Sequence, residues 1–166
     1  MILFRKALCA LAVASLPALA VEVGEAAPPI AGQRLDATHV AITPESLRGQ
    51  VVYVDFWASW CVPCRQSMPA LDALYRKHGH AGFTVVGVGK DVSEADARRF
   101  LGRVPVGFPL VLDDSDKVAR AFNVKAMPSG YLVDRNGIVR HVHRGFTDDT
   151  PAQLEAEVVS LLGEKK

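Results

Sequence analysis

A strongly apolar segment runs directly into a pair of cysteines, and this junction constrains the fold more than any other feature. Residues 50–57 are rich in β-branched and aromatic side chains, which is typical of a strand buried on both faces. From residue 61 to residue 78 the apolar positions recur at helical spacing, and Gly79 is a typical terminator. The sequence therefore predicts a strand followed at once by a helix, the unit from which parallel sheets are built.

The rest of the chain continues the alternation of strands and helices after an irregular lead-in over residues 21–33. Ser93 is the predicted N-cap of a helix, and Asn136-Gly137 is a strong hairpin turn. Parallel strands joined by helices, followed by an antiparallel hairpin, predict an α/β fold with a mixed central sheet flanked by helices. The predicted strands are 38–43, 83–89, 108–112, 131–133 and 138–142, and the predicted helices are 44–47, 93–101, 115–122 and 151–162.

The N-terminal segment, residues 1–20, has the three parts of a secretory signal peptide. A short basic start is followed by an apolar run and then by small residues up to Ala20. The apolar run has about thirteen residues, whereas a membrane-spanning helix needs about twenty. We therefore expect cleavage after Ala20, a single domain over residues 21–166 and export to the periplasm. An uncleaved membrane anchor is the alternative.

Composition excludes several classes of protein. The chain has 166 residues, of which 49% are hydrophobic, and its formal net charge is +1. Such a chain has no strong field to attract nucleic acid or an anionic membrane, so no nucleic-acid partner is expected. These values also exclude a disordered chain and a disulfide-dense miniprotein. Of the three cysteines, Cys9 falls in the signal segment, which leaves one pair in the domain.

That pair, Cys61 and Cys64, has the spacing of a redox-active dithiol. At the start of a helix, unpaired N–H groups and the positive end of the helix dipole stabilise a thiolate at Cys61, which is then the nucleophile. Cys64 is close enough to resolve a mixed disulfide, and Pro63 suits the first helical turn. Half of a zinc site, a copper site and an inert structural disulfide are the alternatives, and a structural zinc site needs four ligands.

Residues 54–65, Val-Asp-Phe-Trp-Ala-Ser-Trp-Cys-Val-Pro-Cys-Arg, resemble the active-site segment of the thioredoxin superfamily. With the signal segment and the longer lead-in, the chain most resembles the TlpA/ResA-type exported thiol-disulfide oxidoreductases. Pro69 matches the proline that kinks the family's active-site helix, and Pro128 matches its cis-proline. The resemblance implies a thioredoxin-like fold with an N-terminal extension and a helix–strand insertion over residues 91–111.

The resemblance also implies roles for individual residues. Asp55 lies in the strand before the cysteines, where the family's buried Asp acts through water as acid or base for the second cysteine. Burial is expected to raise the pKa of Asp55 into the range useful for proton transfer. Trp57 and Trp60 are expected to pack around the site. The expected substrate-binding residues are Trp60, Pro63, Met127 and Pro128.

The implied activity is reduction of disulfides in exported proteins such as apocytochrome c, with electrons from a DsbD-like membrane reductase. We expect a monomer that needs no metal and no organic cofactor. A DsbA-like disulfide oxidase or isomerase is one alternative, and a copper-binding chaperone that uses the two thiolates is another. A peroxiredoxin is disfavoured because Ala58 stands where its peroxidatic cysteine would need a Thr or Ser.

Two positions depart from the family pattern. Gly87 aligns with a Lys that pairs with the buried Asp of thioredoxin, and Lys90 stands where some ResA-type proteins carry a Glu. Lys90 is expected to be a solvated charge at a strand end, although a cation that reached the site would lower the thiol pKa values. His141 and His143 alternate on one predicted strand, and we expect both to be exposed.

Overall fold

The structure is a computed structural model that describes residues 21–36 and 42–164. Its helices and strands follow one another in a strand–helix alternation around a single sheet. The strands are β1 Gln33–Arg34, β2 Val51–Trp57, β3 Phe83–Gly89, β4 Leu110–Leu112, β5 Ser129–Val133 and β6 Val139–Arg144. The helices are α1 Pro44–Leu47, α2 Cys64–His78, α3 Glu94–Leu101, α4 Lys117–Ala121 and α5 Thr150–Gly163, with a 3₁₀ turn at Gly79–Ala81.

The sheet is mixed, as the sequence predicts, and β2 lies inside it. Its strand order is β1-β4-β3-β2-β5-β6. The pairs β2–β3 and β3–β4 are parallel, whereas β5 and β6 form an antiparallel hairpin whose first strand pairs with β2. All seven residues of β2 are buried, which explains why this strand lacks polar alternation. The C-terminal ends of β2 and β3 lie at one edge of the sheet, where α2 begins.

Helices cover both faces of the sheet, and successive side chains of β2 point alternately to one face and the other. Tyr53 and Trp57 point into a core that contains both cysteines and apolar residues of α2, α3 and α5. Val54 and Phe56 point into a second core, formed with α4 and the N-terminal lead-in. Because side chains alternate along a strand, Asp55 lies on the same face as Tyr53 and Trp57. The buried acid and the cysteines therefore share one side of the sheet.

Most predicted elements are present, with corrections at their ends. Strand β3 has the predicted bounds, and the Ser93 hydroxyl accepts from the Asp96 N–H at 3.3 Å, which confirms the predicted cap. The predicted strand 38–43 lies mainly outside the described residues, and Thr43 caps α1 instead of ending a strand. The structure places β1 within the lead-in, at Gln33–Arg34. Helix α2 begins at Cys64, three residues later than predicted, because residues 61–63 form a turn.

The signal segment predicted over residues 1–20 lies outside the described residues. Within residues 21–36 and 42–164, no helix is both long enough and apolar enough to span a membrane.

Candidate active site

Cys61 and Cys64 form a disulfide in the turn between β2 and α2. Their sulfur atoms are 2.06 Å apart and their Cα atoms 5.4 Å apart. The Cys61 N–H donates to the Ala58 carbonyl at 3.1 Å, and Cys64 is the first residue of α2. Cys61 is 4% exposed and Cys64 is fully buried. Cys61 is thus the more exposed of the two cysteines, and it lies at the positive end of a 15-residue helix.

The peptide bond between Met127 and Pro128 is cis, as the resemblance predicts. Pro128 directly precedes β5, whose first residue, Ser129, pairs with Phe56 near the end of β2. Met127 packs against both cores, including the one that contains the cysteines. The sheet therefore brings the Met127-Pro128 segment to the edge that carries the disulfide, although about sixty residues separate the two along the chain.

Asp55 is an ionisable group inside an apolar core. It is 1% exposed, and among the described residues its Oδ2 atom has no hydrogen-bond partner. Burial, which disfavours the charged form, raises the pKa of Asp55 to about 7. This is the direction that the sequence predicts. A carboxyl group with such a pKa exchanges a proton readily at neutral pH.

Both residues paired with Asp55 in the sheet are glycines, so neither offers a side chain that could offset the effect of burial on its pKa. Asp55 is paired with Gly87 on β3 and with Gly130 on β5. A Cβ at Gly87 would lie 2.6 Å from Leu110 and 3.2 Å from the Trp57 indole nitrogen. The space that a lysine side chain would need is therefore filled by apolar and aromatic groups. As the sequence comparison indicates, the position that carries a lysine in thioredoxin offers no cation here.

The exposed rim of the site carries several apolar side chains. Trp60 is 66% exposed, Val62 is 68% exposed and Val92 is 91% exposed, and Pro63 is exposed with them. Trp60 and Val62 flank Cys61 in the chain. Trp57, in contrast, is fully buried and stacks on Phe100 with ring centroids 5.2 Å apart. Of the two tryptophans expected to pack around the site, only Trp57 does so, and Trp60 projects into solvent.

Similarity to known proteins assigns the chain to a family. The family model described as Redoxin matches residues 22–158, which is most of the chain. The chain belongs to the Redoxin family. Within it, the thiol-disulfide oxidoreductase ResA of Geobacillus thermodenitrificans is 32% identical to this redoxin over 139 residues, covering 82% of the chain and 79% of the relative.

Solved structures agree with that assignment. A candidate thiol:disulfide interchange protein DsbE from Chlorobium tepidum superposes with a TM-score of 0.81 at 38% identity, covering 87% of this redoxin and 100% of that chain. A candidate protein disulfide isomerase from Bacteroides thetaiotaomicron gives a TM-score of 0.77 at 30% identity, covering 87% and 92%. The redoxin is thus of the TlpA/ResA type within the thioredoxin superfamily, with the predicted thioredoxin-like fold, and it is a protein-disulfide oxidoreductase.

The redoxin site contains one contact that the sequence did not reveal. Asp91 follows β3 closely and is 4% exposed. Its carboxylate accepts from the Ser59 N–H at 2.9 Å and from the Ser59 hydroxyl at 2.5 Å. An acidic residue just past the end of a parallel strand beside the active-site strand was the available signal. Only the fold shows that its partner lies 32 residues away.

Lys90 does not match the expectation of a solvated charge. Its ammonium nitrogen lies 3.0 Å from a carboxylate oxygen of Asp116, and its side chain is only 19% exposed. Its backbone N–H donates to the Trp57 carbonyl at 2.9 Å, which fixes the end of β3 beside the end of β2. The lysine is thus held in an ion pair at the edge of the site, because α4 brings Asp116 to the end of β3.

The expectation that both histidines of β6 are exposed is wrong for His143. Helix α5 covers this part of the strand, and the His143 side chain is 11% exposed. Its Nε2 atom lies 2.9 Å from Glu157 Oε2, and its ring centroid is 5.8 Å from that of Tyr53. Burial lowers the pKa of His143, against the opposing effect of Glu157. His141 remains partly exposed, with its side chain at 42%.

Among the described residues, no group of three or more His, Cys, Asp or Glu side chains is arranged to hold a metal ion.

Proposed function

We propose that this redoxin reduces disulfides in exported proteins, with apocytochrome c as a substrate, and that Cys61, Cys64 and Asp55 carry the reaction. The observation on which this rests is that β2, the strand that leads into the Cys61–Cys64 disulfide, carries a buried carboxyl group with a pKa of about 7. The structure corresponds to the oxidised state that such a reaction produces. The start of the cycle is the reduced dithiol.

The reaction consists of two exchanges that conserve electrons. The Cys61 thiolate attacks one sulfur of the substrate disulfide, the substrate S–S bond breaks, and one substrate sulfur leaves as a thiolate. Cys64 then attacks Cys61 in the mixed disulfide and releases the second substrate thiolate. The substrate gains two electrons, and the redoxin ends with the Cys61–Cys64 bond seen in the structure.

Asp55 supplies the base for the second exchange. Cys64 is fully buried, and a buried thiol holds its proton more strongly than an exposed one. A carboxylate with a pKa of about 7 can accept that proton at neutral pH and return it later to the bulk solvent. A carboxyl group at its ordinary pKa would be a much weaker base.

The surface around Cys61 suits a protein substrate. Among the described residues, five large hydrophobic side chains are exposed, and three of them, Trp60, Val62 and Val92, lie on or beside the active-site loop. Exposed apolar side chains grouped around a reacting sulfur favour docking of an apolar protein segment. Met127 is half-buried and Pro128 is buried, whereas Pro63 is exposed beside the cysteines. We propose that the Met127-Pro128 segment contacts the docked segment from the side opposite Pro63.

Export and the electron source complete the proposal. The signal pattern over residues 1–20 supports delivery to the periplasm, where a reductant has to be regenerated continually because the compartment is oxidising. A DsbD-like membrane reductase is the proposed donor, on the strength of the resemblance to the TlpA/ResA type. The domain over residues 21–166 is proposed to work as a monomer.

A single-turnover experiment tests the proposal. Reduced redoxin is mixed with apocytochrome c whose two haem-binding cysteines form a disulfide, and the thiols of both proteins are followed. We expect reduced substrate and oxidised redoxin in equal amounts, no reaction with Cys61→Ser, and a trapped mixed disulfide with Cys64→Ser. Oxidation of reduced apocytochrome c by oxidised redoxin would instead favour the disulfide oxidase or isomerase activity.

The copper-chaperone alternative has its own test. Metal analysis of the reduced protein after incubation with Cu(I) separates the two functions, since a chaperone would retain stoichiometric copper on Cys61 and Cys64. We expect disulfide exchange to proceed at full rate in the presence of a copper chelator.

A further inference from the structure

A buried carboxylate clamps the loop that carries Cys61. Asp91 lies past the end of β3, and both of its oxygens accept hydrogen bonds from Ser59, at 2.9 Å from the N–H and 2.5 Å from the hydroxyl. Ser59 stands two residues before Cys61 in the chain. The clamp therefore ties the active-site loop to a neighbouring strand of the sheet. Hydrogen bonds to a charged acceptor that is shielded from water are among the stronger ones in proteins.

Side-chain packing holds the loop at Ala58 and Cys61, which are buried in the core, but not at the two neighbours of Cys61. Trp60 and Val62, the two neighbours of Cys61, are 66% and 68% exposed. Backbone hydrogen bonds also hold the chain around Cys61. The Cys61 N–H donates to the Ala58 carbonyl, and the carbonyls of Val62 and Pro63 accept from N–H groups in the first turn of α2. None of these bonds joins the loop to a neighbouring strand, as the clamp does. In the oxidised protein the disulfide also joins Cys61 to α2. When the disulfide opens, that link is lost, while the clamp remains.

We propose that Asp91 is a positioning residue for Cys61. By holding Ser59, it keeps the Cys61 sulfur at the N-terminus of α2 after reduction, where the helix dipole stabilises the thiolate. This inference rests on the proposed function to the extent that Cys61 is the attacking cysteine. It assigns no proton transfer to Asp91, because both of its oxygens accept hydrogen bonds from Ser59.

A simple charge effect of Asp91 predicts the opposite sign. A negative charge near a thiol raises the thiol pKa, so removing the charge would lower the pKa of Cys61 and speed its alkylation. Loss of positioning moves the sulfur away from the helix terminus, which raises the pKa of Cys61 and slows its alkylation at low pH. Asp91→Asn therefore distinguishes the two effects by direction alone.

The experiment measures the rate at which iodoacetamide modifies Cys61 in the fully reduced protein between pH 5 and pH 9. Mass spectrometry assigns the modified cysteine. For Asp91→Asn and for Ser59→Ala, which retains the Asp91 charge, we expect the rate at pH 6 to fall about threefold or more, since half a pKa unit changes the thiolate fraction by that factor. Ser59→Thr, which keeps the hydroxyl, should restore the wild-type profile.

Asp134→Asn is the matched control. Asp134 is also buried and accepts from two backbone N–H groups, those of Asn136 and Ile138, but it lies in the hairpin turn at the opposite edge of the sheet. We expect its alkylation profile to match wild type. Circular dichroism of the oxidised variants establishes folding, and if Asp91→Asn fails to fold, Ser59→Ala carries the test.

Two results would overturn the inference: faster alkylation in Asp91→Asn, or an unchanged profile in Ser59→Ala. Neither depends on a substrate protein. If the proposed function fails, wild-type redoxin will not reduce apocytochrome c, while the alkylation profiles still report on the clamp.

Discussion

Two buried carboxylates of this redoxin, one within β2 and one just past the end of β3, have opposite surroundings. Asp55 lies within β2 between two glycines, and among the described residues one of its oxygens has no hydrogen-bond partner. Asp91 lies past the end of β3, and both of its oxygens accept from Ser59. Both side chains are almost completely buried. Burial alone therefore does not determine what an acidic residue does; the hydrogen bonds available to its charged form do.

These two surroundings fit the two proposed roles, proton transfer for Asp55 and positioning for Asp91. A buried carboxylate that accepts no compensating hydrogen bonds has a pKa near 7, and a group with such a pKa can serve as a base at neutral pH. A carboxylate that accepts two hydrogen bonds from one residue, as Asp91 does from Ser59, can hold the active-site loop in place. The surroundings of the two carboxylates differ for two reasons. The register of the sheet pairs Asp55 with glycines. The parallel pairing of β2 and β3 brings the residues after β3 close to the active-site loop, so that Asp91 meets Ser59.

The largest expected effect is on the pH dependence of stability. Asp55 has a folded-state pKa of about 7, above its unfolded value near 4, so the folded protein binds the proton more tightly. Its contribution to stability is present below pH 4 and is lost as pH rises to 7. The loss amounts to about 4 kcal/mol. Urea unfolding of oxidised wild type and Asp55→Asn from pH 4 to pH 8 should show that the variant lacks this decline.

Asp91→Asn should behave in the opposite way in the same experiment. Replacing a carboxylate that accepts two hydrogen bonds leaves one donor poorly paired, so stability should fall by about 1–3 kcal/mol at neutral pH. At pH 8, Asp55→Asn should be more stable than wild type and Asp91→Asn less stable. If both variants shift stability in the same direction at pH 8, the distinction between the two carboxylates is wrong.

The next effect is on the rate of disulfide reduction. Asp55→Asn removes the proposed base for Cys64, and general acid–base catalysis contributes about 100-fold or more to such a step. We expect a loss of that size at pH 7 and a flattened pH–rate profile, because the group with a pKa of about 7 is gone. Stopped-flow measurement of the second exchange gives the profile directly. A profile that overlays wild type would remove Asp55 from the mechanism.

The sequence predicts these two carboxylates unequally, for a physical reason. Asp55 interrupts an otherwise apolar strand six residues before Cys61, so local pattern and resemblance both single it out. Asp91, the Lys90–Asp116 pair and the burial of His143 depend on contacts between segments far apart in the chain. Local sequence patterns predict elements such as β3 and local contacts such as the Ser93 cap. The contacts of a side chain with distant residues depend on how the helices pack on the sheet, which local patterns do not show.

A smaller effect is expected at the exposed rim. Val92→Ser removes an apolar side chain that is 91% exposed next to Asp91, and Val159→Ser makes the same change on α5, at a side chain that is 52% exposed. If the rim docks protein segments, Val92→Ser should raise KM for a protein disulfide about threefold, while Val159→Ser should not. Neither change should affect reduction of a small-molecule disulfide. Equal effects of both substitutions would argue against a docking role for Val92.

The smallest effect is expected at Lys90. Its ion pair with Asp116 occupies the ammonium group, so Lys90→Gln should leave the alkylation profile of Cys61 close to wild type. Stability should fall by no more than about 1 kcal/mol, as for other partly exposed ion pairs. Slower alkylation of Cys61 at pH 6 in this variant would mean that the lysine charge reaches the thiolate after all.

The reduction potential of the Cys61–Cys64 pair tests the proposed direction of electron flow most directly. It is measured by equilibrating the protein with glutathione buffers of known composition and quantifying the free thiols. A reductase requires a disulfide that is stable relative to the dithiol, and we expect a value near that of thioredoxin, about −270 mV. A value near that of the strongly oxidising DsbA, about −120 mV, would contradict the proposed reductase function.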